Sequence, residues 1–233
     1  MPSTGPGLPF YNVGMQRTSS PWSRRLPGIV VLALLFPVVL RAAKGFVKPT
    51  AKPAFNYPAH DLHRDEQVTI AADPYDTPDK AKIFSINFTE HGFLPIFFIV
   101  TNDGDQPVSI INMRITMMTG KGSKLTPVDT DGLYRRLSNP SKPGTNMPLP
   151  FPRKVKGAVS KQQMDEIVSS QFAAKAVEPH STQAGFFYFD VADLNAPLRG
   201  ATIDISGVDD AKGTELIFFE IPMDKYLDAP RNP

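Results

Sequence analysis

From Phe93 to Val100 the chain reads F-L-P-I-F-F-I-V, with no charged or hydrogen-bonding side chain on either alternating face. A strand with one wet face alternates apolar and polar residues, so a run apolar on both faces belongs in the interior of a sheet rather than at a wet edge. The next residues, Thr101 to Pro107, read T-N-D-G-D-Q-P. Asn, Asp and Gly supply the turn dihedrals that bulky residues avoid. Val108, Ile110, Met113, Ile115 and Met117 then return at strand spacing. Phe93 to Thr119 is therefore predicted to form two successive antiparallel strands about a tight turn, with the rest of the chain organised around them.

The 233 residues are 41% hydrophobic, enough for one good-sized domain with a real core. Twenty-four Pro and sixteen Gly argue for many turns and against long helices. Sixteen Phe against one Trp point to a core of aromatic strand residues. Cysteine is absent, which excludes a disulfide framework, a thiolate metal site, a lipid-attachment cysteine and a cysteine nucleophile. Charge is unevenly spread: residues 1–45 carry +5, residues 121–161 carry +7, and the remainder carries −10. An acidic body thus bears a basic leader and a basic internal segment, a pattern that steers association with charged partners.

Residues 1–26 are rich in Pro, Gly and Ser, and a thirteen-residue apolar run, Gly28 to Leu40, follows Arg24 and Arg25. A membrane-spanning helix needs about 20 apolar residues, so the run fits the apolar core of a signal peptide better. Ala43 and Gly45 put small residues where a signal peptidase reads, which predicts cleavage before Phe46. Residues 1–45 are accordingly a signal peptide or membrane anchor, and 46–64, with Lys48-Pro49 and Lys52-Pro53, an extended linker. The folded domain is placed at 65–228. Within it, strands are predicted at 67–71, 83–88, 184–191, 201–205 and 215–221, beside the central pair. Thr77 before Pro78 predicts a single helical turn, and Ser160 begins a helix to about Ala174 with Met164, Ile167, Val168, Gln171 and Phe172 on one face. Residues 121–161 form an aperiodic, Pro-rich basic insertion.

Three stretches carry a resemblance. They are V-T-N-D-G-D-Q-P-V at 100–108, a following strand that ends in the Gly turn Thr119 to Gly122, and V-E-P-H-S-T-Q-A-G-F-F-Y-F-D-V at 177–191. Over roughly residues 65–222 the chain resembles the telokin-like, immunoglobulin-fold domains of exported bacterial proteins, many of them lipoproteins. It departs from the lipoproteins in having no cysteine for lipid attachment. The resemblance implies an extracytoplasmic address in the periplasm or cell envelope, and it carries over no catalytic residue. The fold predicted is all-β, an immunoglobulin-like antiparallel β-sandwich with one short helix and a long basic Pro-rich insertion.

No nucleophile elbow, zinc-protease, phosphate-loop or dinucleotide-binding glycine pattern is present, so no enzyme, no catalytic residue and no cofactor is predicted. The contact residues of a binding or structural module would be the bases of the insertion, Lys121, Lys124, Arg135, Arg136, Arg153, Lys154 and Lys156, facing an envelope protein or an anionic envelope polymer. The segment has few aromatics and no nucleic-acid-binding pattern, so nucleic acid is not expected. Membrane contact is expected only through residues 28–40, if that run is uncleaved. An alternative is a periplasmic metal- or ligand-binding protein in which His60 and His63, in the ligand-rich stretch His60 to Glu66, hold Zn²⁺ or Cu²⁺ on a helical turn. A further alternative is an accessory subunit of an envelope complex, mating through an exposed aromatic strand at Phe186 to Phe189.

Overall fold

The computed structural model describes residues 46–138, 159–216 and 218–230. The leader lies outside the described residues, as does the tract 139–158. The described residues form ten strands: β1 (His60–His63), β2 (Val68–Pro74), β3 (Phe93–Asn102), β4 (Val108–Ser109), β5 (Arg114–Met118), β6 (Lys124–Leu125), β7 (Ala176–Val177), β8 (Ser181–Asp190), β9 (Thr202–Ser206) and β10 (Phe219–Pro222). Four α-helices among the described residues accompany them: α1 (Pro78–Ala81), α2 (Thr130–Ser138), α3 (Lys161–Ser170) and α4 (Asp224–Leu227). The fold is all-β and sandwich-like. One four-stranded sheet has the order β1-β2-β3-β8, the other β10-β9-β5-β6, and β4 pairs with β7 as a short ribbon.

The two-faced apolarity of β3 has a simple cause. It runs between β2 and β8, paired with β8 over all ten of its residues, and every one of them is buried. Leu94, Ile96, Phe98 and Val100 enter a core shared with Ile115, Met117, Ile203, Ile205, Phe219 and Ile221 of the second sheet. Phe93, Phe97 and Ile99 enter a second core on the opposite face, closed by Phe84, Phe88, Leu133, Leu137 and Ile167. The first sheet is therefore the middle of three layers. Each large side chain so enclosed contributes roughly 1.5–3 kcal/mol of transfer free energy.

The predicted central hairpin does not form. Both hydrogen-bonding edges of β3 are taken by β2 and β8, so the chain leaves the first sheet after the turn and β5 pairs with β9 and β6 instead. The turn is a junction: Asn102 donates its amide to the carbonyls of Gln106 (2.7 Å) and Val177 (3.0 Å) and accepts from Gly104 N–H (3.0 Å). Residues 83–88 alternate in burial as predicted, with Phe84, Ile86 and Phe88 inside, but they form no strand.

Residues 46–64 are more than a linker. Phe46 stacks on Phe84 at 5.5 Å, Ala54 N–H donates to Thr101 Oγ1 (2.8 Å), and β1 pairs with β2. Lys48 reaches the carbonyl of Gln171 (3.1 Å), and partial burial pulls its pKa down.

The insertion is also more than a surface loop, because its residues 130–138 are helical and bury Leu133 and Leu137. The Ser160 cap is observed as a full capping box with Gln163. The helix that follows ends at Ser170, however, and turns Glu166, Ile167 and Ser170 inward while Val168 stays exposed. Glu166 is tolerated inside because Ser85 donates to it from its backbone N–H (3.0 and 3.1 Å) and from Oγ (2.5 Å). The strand Phe186 to Phe189 is not an exposed edge: Phe186, Tyr188 and Phe189 are buried. Phe172 N–H donates to Phe186 O and Val128 N–H to Tyr188 O, which covers the β8 edge. Gly185 permits this approach, since a Cβ there would collide with the backbone of Phe172.

Candidate functional site

The second sheet buries one face and, among the described residues, leaves the other uncovered. Strand alternation sends Ile115, Met117, Ile203 and Ile205 into the core. Arg114, Thr116 and Met118 of β5, and Thr202, Asp204 and Ser206 of β9, therefore point outward. The register sets them in rows: Arg114 opposite Ser206, Thr116 opposite Asp204, Met118 opposite Thr202. On either side, Glu220 of β10 stands opposite Asp204, and Lys124 of β6 opposite Met118. Together with Phe218, which is 58% exposed, they line a concavity of about 620 Å³.

Among the described residues, the side chains of Arg114, Thr116, Lys124, Thr202, Asp204, Ser206 and Glu220 make no hydrogen bond or ion pair to protein. Two carboxylates directly opposite across a strand pair repel and destabilise a sheet slightly. Asp204 and Glu220 stand this way, and among the described residues neither side chain makes an ion pair. The rows end at Met118 and Thr202, where the β5–β6 turn meets the loop 194–200 around a further cavity of about 370 Å³. Lys121 and Arg199 line that cavity. The two walls approach closely at Gly120, where a Cβ would lie 2.6 Å from Arg199 O. The outer face is thus a polar strip with cations toward both ends of its rows and a carboxylate pair in the middle row.

Sequence reasoning found part of this strip and scattered the rest. Lys124 belongs to it, and Lys121 lines the cavity at the β5–β6 turn. Arg135 and Arg136 do not, because α2 carries them to the core that covers the first sheet. Arg136 pairs with Asp190 and lies 4.7 Å over the Phe93 ring, and Arg135 donates to Asp131 O (3.4 Å). Arg153, Lys154 and Lys156 lie outside the described residues.

His60 and His63 sit on a strand rather than a helical turn, so three residues apart they project from opposite faces. His60 Nδ1 lies 2.6 Å from Tyr57 O. His63 stacks on Phe219 at 3.9 Å, with Asp61 at 3.4 Å and Glu66 at 3.8 Å. Asp61 also accepts from Glu220 N–H (2.8 Å), so this cluster joins β1 to β10. Among the described residues no group of three or more His, Asp or Glu side chains is placed to hold a metal ion.

Other polar clusters are built as fastenings. Lys80 Nζ donates to Asp73 Oδ1 (2.5 Å) and to Pro74 O (3.0 Å), and lies 4.6 Å over the Tyr226 ring. Burial raises the Asp73 pKa above the usual carboxylate range, with the Lys80 charge opposing. Tyr226 donates its hydroxyl to Asp76 Oδ1 (2.5 Å), tying α4 to the residues that follow β2. The Tyr188 hydroxyl shares a 2.6 Å hydrogen bond with Ser170 Oγ, and burial pushes its pKa up.

Arg114, Asp204, Ser206, Phe218 and Glu220 were missed. The signal for them was the alternation of R-I-T-M-M and T-I-D-I-S, whose polar positions mark an outer face. Which strands would share that face depends on pairings far apart in sequence.

Among the described residues no helix is long and apolar enough to cross a membrane. No protein-family model and no curated protein matches the chain. A solved structure that matches is that of YcdA from Bacillus subtilis, titled a putative lipoprotein, at 12% identity and a TM-score of 0.33. The match covers 75% of this chain and 40% of that one, so the chain spans less than half the length of its match.

Proposed function

We propose that this protein is a non-enzymatic binding module of the bacterial cell envelope, exported by its N-terminal leader, with the outer face of the β10-β9-β5-β6 sheet as its contact surface. The observation that carries this reading is the set of outward polar side chains, Arg114 to Glu220, that no group among the described residues satisfies. Surface polar groups are normally content with water. A register that aligns them in rows over a concave sheet, beside an exposed aromatic, offers a rigid array that a ligand can match. The leader supports the address: a short apolar run after two arginines, then small residues before Phe46. The resemblance to telokin-like domains of exported proteins points the same way.

The test is co-sedimentation of the full chain with isolated envelope material. Thr116→Arg fills the concavity from its centre and leaves both cores untouched. It should abolish sedimentation at an unchanged melting temperature. Undiminished sedimentation of that variant refutes the assignment of this face.

A further inference from the structure

We infer that the occupant of this face is an acidic glycan, a chain of hydroxyl-rich rings bearing sparse carboxylate or phosphate groups. The inference rests on the binding reading above and goes on to name the chemistry that fits.

Three features of the strip fix that chemistry. Asp204 and Glu220 stand side by side at its middle, with Thr116 in the same row. Ionised carboxylates only accept hydrogen bonds, so whatever lies over them presents donors. Arg114 and Lys124 flank this row and only donate. They stand about 14 Å apart, four residues along β5 and one strand across, so the ligand carries negative groups at separated points. Phe218 immediately precedes Phe219, whose partner is Ile205, which puts it toward the end of the face that holds Ser206 and Arg114, and all three line the concavity. With more than half of it exposed, the ring offers an electron-rich face to the C–H groups of a ligand ring. Sugar hydroxyls answer the carboxylates, acidic substituents answer the bases, and the apolar face of a sugar ring answers Phe218.

Other occupants match less of the surface. The middle of a protein–protein interface is depleted in Asp, Glu and Lys, whereas here the middle is a carboxylate pair. A nucleic acid carries a phosphate on every unit, and Asp204 and Glu220 would face one wherever the chain lay.

The experiment is titration calorimetry of the full chain with a hyaluronan oligosaccharide, which carries a carboxylate on alternate sugars only, a maltodextrin of equal length and a poly-glutamate peptide. The account expects saturable binding of the hyaluronan oligosaccharide, weaker by about tenfold in Phe218→Ala and in Arg114→Ala. It expects weak binding of the maltodextrin and none of the peptide. Melting curves of both variants check that the exposed substitutions leave the fold intact. Equal binding of maltodextrin, binding of the peptide, or indifference to Phe218→Ala overturns the glycan assignment. A photo-crosslinker at position 116 in intact cells separates the two levels. If no glycan binds but the crosslinker captures a protein, the glycan inference falls and the contact face stands. If neither happens, both fall.

Discussion

Replacing Leu133 by Ala probes the least anticipated part of the architecture, the helical segment of the insertion. Leu133 is fully buried in the core that covers the outer side of β3, with Leu137 one turn on. Truncating a buried Leu removes its transfer free energy and leaves a cavity, at a cost of about 2–5 kcal/mol. For a domain of this size each kcal/mol moves the melting temperature by roughly 2–4 °C, so the expected loss is about 5–15 °C. Val168, 55% exposed on α3, supplies the control: Val168→Ala should change stability by no more than about 0.5 kcal/mol. Thermal melting followed by circular dichroism at two protein concentrations makes the comparison and detects aggregation. If Leu133→Ala melts with the wild type, or Val168→Ala falls as far, the insertion is not part of the core and the three-layer description is wrong. Deleting residues 121–161 would then cost contacts but no stability, as the sequence by itself suggests.

Two further substitutions test the buried polar groups. Glu166→Gln replaces an acceptor of three Ser85 hydrogen bonds with a group that turns an N–H₂ toward a donor, and should lower stability by about 1–3 kcal/mol in urea unfolding; an unchanged midpoint would mean that the anchor between α3 and residue 85 carries nothing. Asp73 has a folded-state pKa raised by burial, so its contribution is present below the unfolded carboxylate value and is lost as pH rises through the folded one. Unfolding followed from about pH 3 to pH 7 should show that loss in the wild type and not in Asp73→Asn, and the same pH dependence in both would show that Asp73 is not its source.

What was legible in the sequence was local. Thr77 before Pro78 and Ser160 before Gln163 are caps whose partners lie within three residues, and both formed as read. The burial of β3 was legible because no one-faced environment suits F-L-P-I-F-F-I-V. Its partners were not. The T-N-D-G-D turn has hairpin chemistry, yet ladders of seven residues with β2 and ten with β8 outcompete a hairpin with the two-residue β4. Helix α2 was hidden by Gly132 in its first turn and by the prolines beyond it. Residues 83–88 show the reverse error: a period of two was right for burial, but the segment pairs with no strand. At the candidate site, positive charge alone drew attention to Lys121 and Lys124. The carboxylates and the aromatic that complete the strip come from β9 and β10, about eighty to a hundred residues downstream.

The most direct measurement compares two double variants of the full chain in co-sedimentation with envelope material. Arg114→Ala/Lys124→Ala removes the bases of the sheet face, and Arg135→Ala/Arg136→Ala removes those of α2. The account predicts that the first loses sedimentation and the second keeps it, each at a melting temperature showing a folded protein. Loss confined to the α2 variant would contradict the central claim and move the contact surface to the insertion.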